Sequence, residues 1–393
     1  MPHFLAFVIG LFVVAALFRV DFFFYLLYLF FGIYLLSRWW TQRGLRSVTF
    51  ARHYSDHALL GEQVPVRLEI HNRGLLPLPW LRVHESLPIQ IKAPNLFRCV
   101  TSLLPYERRT VAYELDCRRR GHYPLGPLLL SAGDLFGLRE VEQRYANQDA
   151  ITVYPRIVPL RELGLPAQSP FGDVPSKQRI FEDPTRLMGV REYQAGDSQR
   201  HIHWTASAAT GTLQVKRFEP AISIEALILL NLNRPEYTVA RAGPASELAI
   251  VTAASVANHL AGKRQAIGLC CSGADPLQNE EQPIILPPRK GHDQLMRILD
   301  ALARVELGDK TPYQDLVRRA RLHLTWGGMA ILITAHAGDD LFDAMVLLKR
   351  GGFHVVLVVV DPQTPFLRVQ QRVRAIGVQA HQVWQERDLD VWR

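Results

Sequence analysis

Cysteine is scarce in this chain, with 4 in 393 residues, at positions 99, 117, 270 and 271. That excludes a disulfide scaffold, and the lack of any C-x-x-C pair or Cys/His cluster excludes dithiol redox chemistry and a structural zinc site. A reducing compartment fits best. The compositional bias of a disordered chain, a collagen or a coiled coil is also missing. No nucleophile, base and orienting group stand out together, so the sequence predicts no enzyme, no catalytic residues and no cofactor. What is present is length enough for two or three domains at ~100 to 200 residues each, a formal net charge of +8 and a mean hydropathy of +0.01. With 21% charged residues, that hydropathy requires apolar residues to be concentrated somewhere.

They are concentrated at the front. Phe4 to Phe18 and Phe22 to Leu36 are uncharged runs of 15 residues, separated by Arg19, Val20 and Asp21. Each is shorter than the ~20 residues that cross a hydrocarbon core. A transmembrane helical hairpin over 1–40 is the preferred reading, with one long tilted helix as its alternative, because the hairpin keeps Arg19 and Asp21 at a surface. A cleaved signal peptide fits less well, since no basic region precedes Phe4. Trp39, Trp40, Arg43 and Arg46 then predict a headgroup layer with the remainder of the chain in the cytoplasm, at a bacterial inner membrane.

Over 46–160 the pattern becomes short alternating runs, such as Val64 to Ile70 and Thr110 to Leu115, divided by turns and prolines. This predicts a β-sandwich. The basic run Arg118 to Arg120 admits two readings, a lipid- or envelope-ligand patch or a solvated hairpin; nucleic acid is not expected, for want of a recognised binding module.

The segment 161–220 loses strand alternation and carries a dense polar block. In it stand Gly189, Arg191, Tyr193, Gly196, Asp197, Arg200, Ile202 and Trp204, then Phe218 and Glu219. Asp197 is placed to bridge Arg191 and Arg200, with Trp204 as a buried anchor, which predicts a structural clasp. His201 and His203 are spaced to share a strand face, as a metal pair would, but no third ligand is evident. The pattern G-x-R-x-Y-x-x-G-D-x-x-R-x-I-x-W resembles that of the bacterial domain-of-unknown-function family fifty-eight. That family usually has Asp where this chain has His203. The resemblance extends to an immunoglobulin-like region with R-R-G-x-Y-x-L-G-P and D-x-F-G-L stretches, the latter at Asp134, Phe136, Gly137 and Leu138. It implies a C-terminal domain similar to the von Willebrand factor A fold, and a partnership with a MoxR-type AAA+ ATPase in envelope or complex assembly.

From 221 to 393 apolar runs alternate with amphipathic helices, and Val355 to Val360 reads as a strand buried on both faces. A largely parallel α/β sheet follows, with ligands expected beyond the carboxyl ends of its strands. There the resemblance implies a metal site of D-x-S-x-S, a distant Thr and a later Asp. Here those places hold Asn231, Asn233, Pro235, Thr311 and Ala335. Without carboxylates a divalent ion has little reason to shed water, so no metal is expected, although Asp339 or Asp340 could substitute. The expected function is a membrane-anchored, non-enzymatic scaffold or adaptor for that ATPase; a lipid- or envelope-ligand-binding protein is the alternative, and a hydrolase using Cys270 or Cys271 ranks behind both, since those thiols lie in an apolar strand.

Overall fold

The computed structural model describes residues 9–10, 12–13, 21–92, 96–133, 140–146, 149–160, 182–194, 197–220, 225–277, 282–362 and 365–390. It divides into two units, one of Met1–Arg156 with Leu299–Val305, the other of Ile157–Ile298 with Glu306–Arg393.

The first unit opens with helix α1 (Asp21–Arg46). The expected transmembrane hairpin is corrected here: among the described residues no helix is long and apolar enough to cross a membrane. The second apolar run is part of one continuous helix whose last turns pack on protein. Trp40 donates its indole N–H to the Pro77 carbonyl at 2.9 Å, and Leu45, 2% exposed, joins the β-domain core with Leu68, Ile70 and Leu81. Length and apolarity alone did not reveal that the helix end belongs to that core. Most of the first apolar run, Phe4 to Phe18, lies outside the described residues.

Among the described residues ten strands follow: β1 (Val48–His53), β2 (His57–Leu59), β3 (Gln63–Asn72), β4 (Leu78–Ser86), β5 (Leu96–Leu103), β6 (Arg108–Asp116), β7 (Gly121–Leu125), β8 (Leu128–Gly133), β9 (Glu140–Tyr145) and β10 (Asp149–Tyr154). They form three sheets, β1-β3-β6, β2-β10-β7 and β5-β4-β8-β9. Alternation does the sorting. In β3 the residues Val64, Val66, Leu68 and Ile70 are buried while the intervening Pro65 and Arg67 are exposed, the period of a sheet with one face on a core.

The second unit begins, in its described part, with a hairpin of β11 (Glu182–Glu192) and β12 (Gln214–Pro220). The segment without strand alternation holds two strands, irregularly registered, with a shift between Leu187 and Gly189, and the second carries Phe218 and Glu219 of the signature. Between them lie a 3-10 turn at Gln199–His201 and helix α2 (Trp204–Thr210). The α/β domain comprises β13 (Glu225–Leu230), α3 (Ala242–Gly262), β14 (Ala266–Cys271), β15 (Ile284–Arg289), α4 (His292–Arg304, which from Leu299 on belongs to the first unit), α5 (Tyr313–Ala320), β16 (Met329–Thr334), α6 (Asp339–Arg350), β17 (His354–Val360), α7 (Phe366–Ile376) and β18 (Gln379–Val383).

The sheet order is β15-β14-β13-β16-β17-β18, with only β15 antiparallel to its neighbour. Every residue of β14 and β16 is buried, which is why these strands read as continuous apolar runs. The carboxyl ends of β13, β14 and β16 meet at one edge, where Leu230, Cys271 and Thr334 hand over to loops.

Candidate functional site

The candidate residues fall in two clusters, the signature hairpin and the carboxyl edge of the large sheet. In the hairpin, Asp197 accepts two bonds from the Arg191 guanidinium, each 2.7 Å, and a third from the Gln194 backbone N–H at 2.9 Å. The Arg191 bonds, then the Gln194 N–H, hold the Asp197 carboxyl below the usual carboxylate range. Arg200 takes no part: it is exposed and makes no ion pair with Asp197. The expected double bridge is therefore a single bidentate pair that closes the 191–197 loop. Trp204 is not buried either, with 69% of its surface exposed. It stands in the first turn of α2, which turns it outward, while Ile202 next to it is 8% exposed and bridges Val215.

His203 caps α2, its Nδ1 accepting the Ala206 N–H at 3.1 Å. An acidic residue at 203 would accept the same bond, so the His departure from the family pattern preserves the cap. His201 lies in the 3-10 turn, so the two histidines share no strand face. Among the described residues no group of three or more His, Cys, Asp or Glu could hold a metal. Gly189 occupies the irregularity of β11, where an extra side chain would meet nothing within 4 Å. Tyr193 is half-buried, its N–H donating to the Leu213 carbonyl at 2.8 Å. Gly196 and the Asp134–Leu138 stretch lie outside the described residues.

At the sheet edge the sequence reasoning missed Glu236. Its Oε2 accepts from Asn231 Nδ2 at 2.7 Å, and its Oε1 accepts from Asn233 Nδ2 at 2.8 Å and from the Tyr313 N–H at 3.1 Å. The second proton of Asn231 Nδ2 goes to Thr334 Oγ1 at 2.9 Å, and Asn231 Oδ1 accepts the Asn233 N–H at 3.0 Å. The edge expected to be uncharged thus carries a carboxylate beside Asn231 and Asn233, supplied three residues beyond Asn233 by the 3-10 turn Arg234–Glu236. Only the local turn brings it back; in sequence it falls outside the expected motif. Asn231 is fully buried, Asn233 is 6% exposed, Thr311 9% and Ala335 1%, whereas Pro235 is exposed. Ala335 packs with Tyr237 and Ala245 as an ordinary core residue. Asp339 is directed elsewhere, to Arg372 at 2.5 Å.

The remaining sequence candidates are engaged structurally. Arg118 pairs with Asp116 at 3.4 Å, and Arg120 donates to the carbonyls of Leu302, Ala303 and Val305 at 2.8 to 3.1 Å, closing the end of α4. Cys270 and Cys271 are fully buried, and burial pushes the Cys270 thiol up to about 12, opposite to what an activated nucleophile needs.

Residues 189–373 match the model of the family described as "Protein of unknown function DUF58". "Uncharacterized protein YeaD" of Bacillus subtilis (strain 168) is 26% identical over 200 residues, so the chain spans about half the length of this curated relative, 48% of each chain being covered. Among solved structures, a von Willebrand factor type A protein from Catenulispora acidiphila is similar at 11% identity and a TM-score of 0.32, covering 45% of this chain and 42% of that one. The CARDB domain of the PF1109 protein from Pyrococcus furiosus, solved with di-metal ions, is similar at 13% identity and a TM-score of 0.20, over 27% and 86%. Both scores are low, and the strand order above carries the fold description. The signature carried by Gly189, Arg191, Tyr193, Asp197, Arg200 and Trp204 falls inside the stretch 189–373 that matches the DUF58 family model.

Proposed function

We propose that this protein is a non-enzymatic scaffold or adaptor that works with a MoxR-type AAA+ ATPase in complex assembly, and that the signature hairpin is its contact surface. One observation carries the reading: the Trp and Arg that mark the family pattern face solvent. Trp204 is 69% exposed, and Arg200 is exposed without an ion pair among the described residues. A tryptophan left in water contributes nothing to a core. Trp and Arg are the side chains that most often dominate protein interfaces, because each combines a large contact area with directional hydrogen bonding. The Arg191–Asp197 pair and the His203 cap fix the loop and helix that present them. Preorganisation of that kind lowers the ordering cost of association.

The experiment is capture of the ATPase by tagged full-length protein with nucleotide present. Trp204→Ala and Arg200→Glu are each expected to reduce capture at least tenfold, about 1.4 kcal/mol, with an unchanged melting midpoint. Capture of no ATPase by the unaltered protein, or undiminished capture by both variants, would overturn the proposal.

A further inference from the structure

We propose a second binding site, independent of the signature hairpin: the carboxyl edge of the large sheet takes the ammonium group of a partner protein's lysine, through Glu236 and Asn233. Glu236 is a half-buried carboxylate whose hydrogen-bond partners are all neutral, the two asparagine amides and the Tyr313 backbone N–H. No cation pairs with it among the described residues; the nearby Arg234 goes to Asp309 at 3.3 Å and Arg241 to Asp361 at 2.5 Å. A carboxylate has about four lone-pair positions, so three donors leave about one open.

The second acceptor is beside it. Asn233 is 6% exposed, and its Oδ1 is buried with no hydrogen-bond partner. Because Asn233 Nδ2 is bonded to Glu236 Oε1 at 2.8 Å, this orphan oxygen lies one amide group away from the carboxylate. Exchanging the amide's O and N would set oxygen against carboxylate, so the orphan cannot be removed by turning the side chain over. Buried amide oxygens are rarely left without a donor, and one that stands next to a carboxylate without a counter-ion calls for a positively charged donor.

The chemistry selects among cations. Mg²⁺ demands near-octahedral oxygen geometry, and three N–H groups directed at the Glu236 oxygens would turn their positive ends toward it. A guanidinium seeks a bidentate fork on one carboxylate, but both Glu236 oxygens are already occupied by in-chain donors. An ammonium asks only for separate acceptors in a tetrahedral arrangement, which the free lone pair and Asn233 Oδ1 supply. The same loop offers Val239, 96% exposed, an apolar rest for a lysine's methylene stem. A stem is what distinguishes a protein lysine from a free small amine.

The test is a titration of full-length protein, labelled with ¹⁵N at asparagine side chains, with Nα-acetyl-lysine methylamide. A saturable shift of the Asn233 amide is expected, at least tenfold weaker in Glu236→Gln and absent with the Nζ-acetylated, uncharged analogue. Methylammonium, which lacks the stem, should bind at least tenfold more weakly. The proposal is overturned by no saturable shift with the lysine compound, by an equal response to its acetylated analogue, by equally tight methylammonium binding, which would mean a free-amine site, or by a saturable response to millimolar Mg²⁺. Because the readout is on Asn233 and uses no ATPase, failure here is distinct from failure of the hairpin reading.

Discussion

Glu85 has no exposed side-chain surface, and the β-domain surrounds it with partners. Arg52, 2% exposed, donates through Nε at 2.7 Å and approaches within 2.6 Å through a second nitrogen, while Tyr113 donates its hydroxyl at 2.6 Å. Arg52 also pairs with Asp149. Removing one partner of such a pair leaves the other charge buried, so Glu85→Ala is expected to cost about 3–5 kcal/mol in urea unfolding. The double replacement Arg52→Met with Glu85→Leu should cost much less, since both charges leave together. A loss under 1 kcal/mol for Glu85→Ala would show that water reaches Arg52. A trace of this was legible: Leu81, Val83 and Glu85 share the inward parity of β4. The partners were not, because they come from β1, β6 and β10.

At the scale of elements, helix α2 of the signature block is held by local bonds and not by a core. α2 has no buried residue, so its stability depends on its ends: His203 accepts at the N-terminus, and Gly211, at φ 73°, closes the other end with its N–H on the Ser207 carbonyl. His203→Ala should therefore destabilise the hairpin by about 1 kcal/mol, and His203→Asn should restore most of that. Hydrogen exchange at Ala206 and its neighbours measures it; equal protection in both variants would rule out the cap. The spacing of residues 189–204 pointed to a family, but assigned Arg200 to a bridge on Asp197 and Trp204 to the interior, because it counted chemical complementarity without knowing which way the 3-10 turn faces.

For the molecule as a whole, burial sets the pH range of stability. Desolvation lowers the values of His259, His354 and His381 below 6.5, with Lys263 and Lys349 adding to the first two. Groups depressed in this way contribute above the unfolded value and lose that contribution as pH falls, because the unfolded chain takes up protons first. The reverse holds for the buried phenols of Tyr113, Tyr237 and Tyr313 and for the Cys117 and Cys270 thiols, raised to about 11 and about 12: their contribution holds at neutral pH and fades in alkali. The melting midpoint is thus expected to be flat from about pH 6.5 to 8 and to drop on either side. Replacing His381 by Phe should soften the acid limb, and an acid limb of unchanged slope would remove that histidine from the account.

The sequence by itself determined the α/β order of the C-terminal domain: Met329–Thr334 and His354–Val360 are strands as their buried, β-branched runs require, and Tyr313 begins a helix as its apolar spacing requires. It determined the family as well, since a pattern of spaced residue types is a property of the chain. It did not determine which side chains share a site. The weakly patterned edge strands β15 and β18 and helix α7 went unread, because edge elements are half-exposed and lose the apolar contrast that marks a strand or a helix face. Glu236 and Asn233 were brought together with Tyr313 by a 3-10 turn and a loop distant in the chain, and the last turns of α1 were docked by the position of Pro77. Those are decisions of tertiary structure: hydrogen bonds and burial depend on distances that only the folded chain sets.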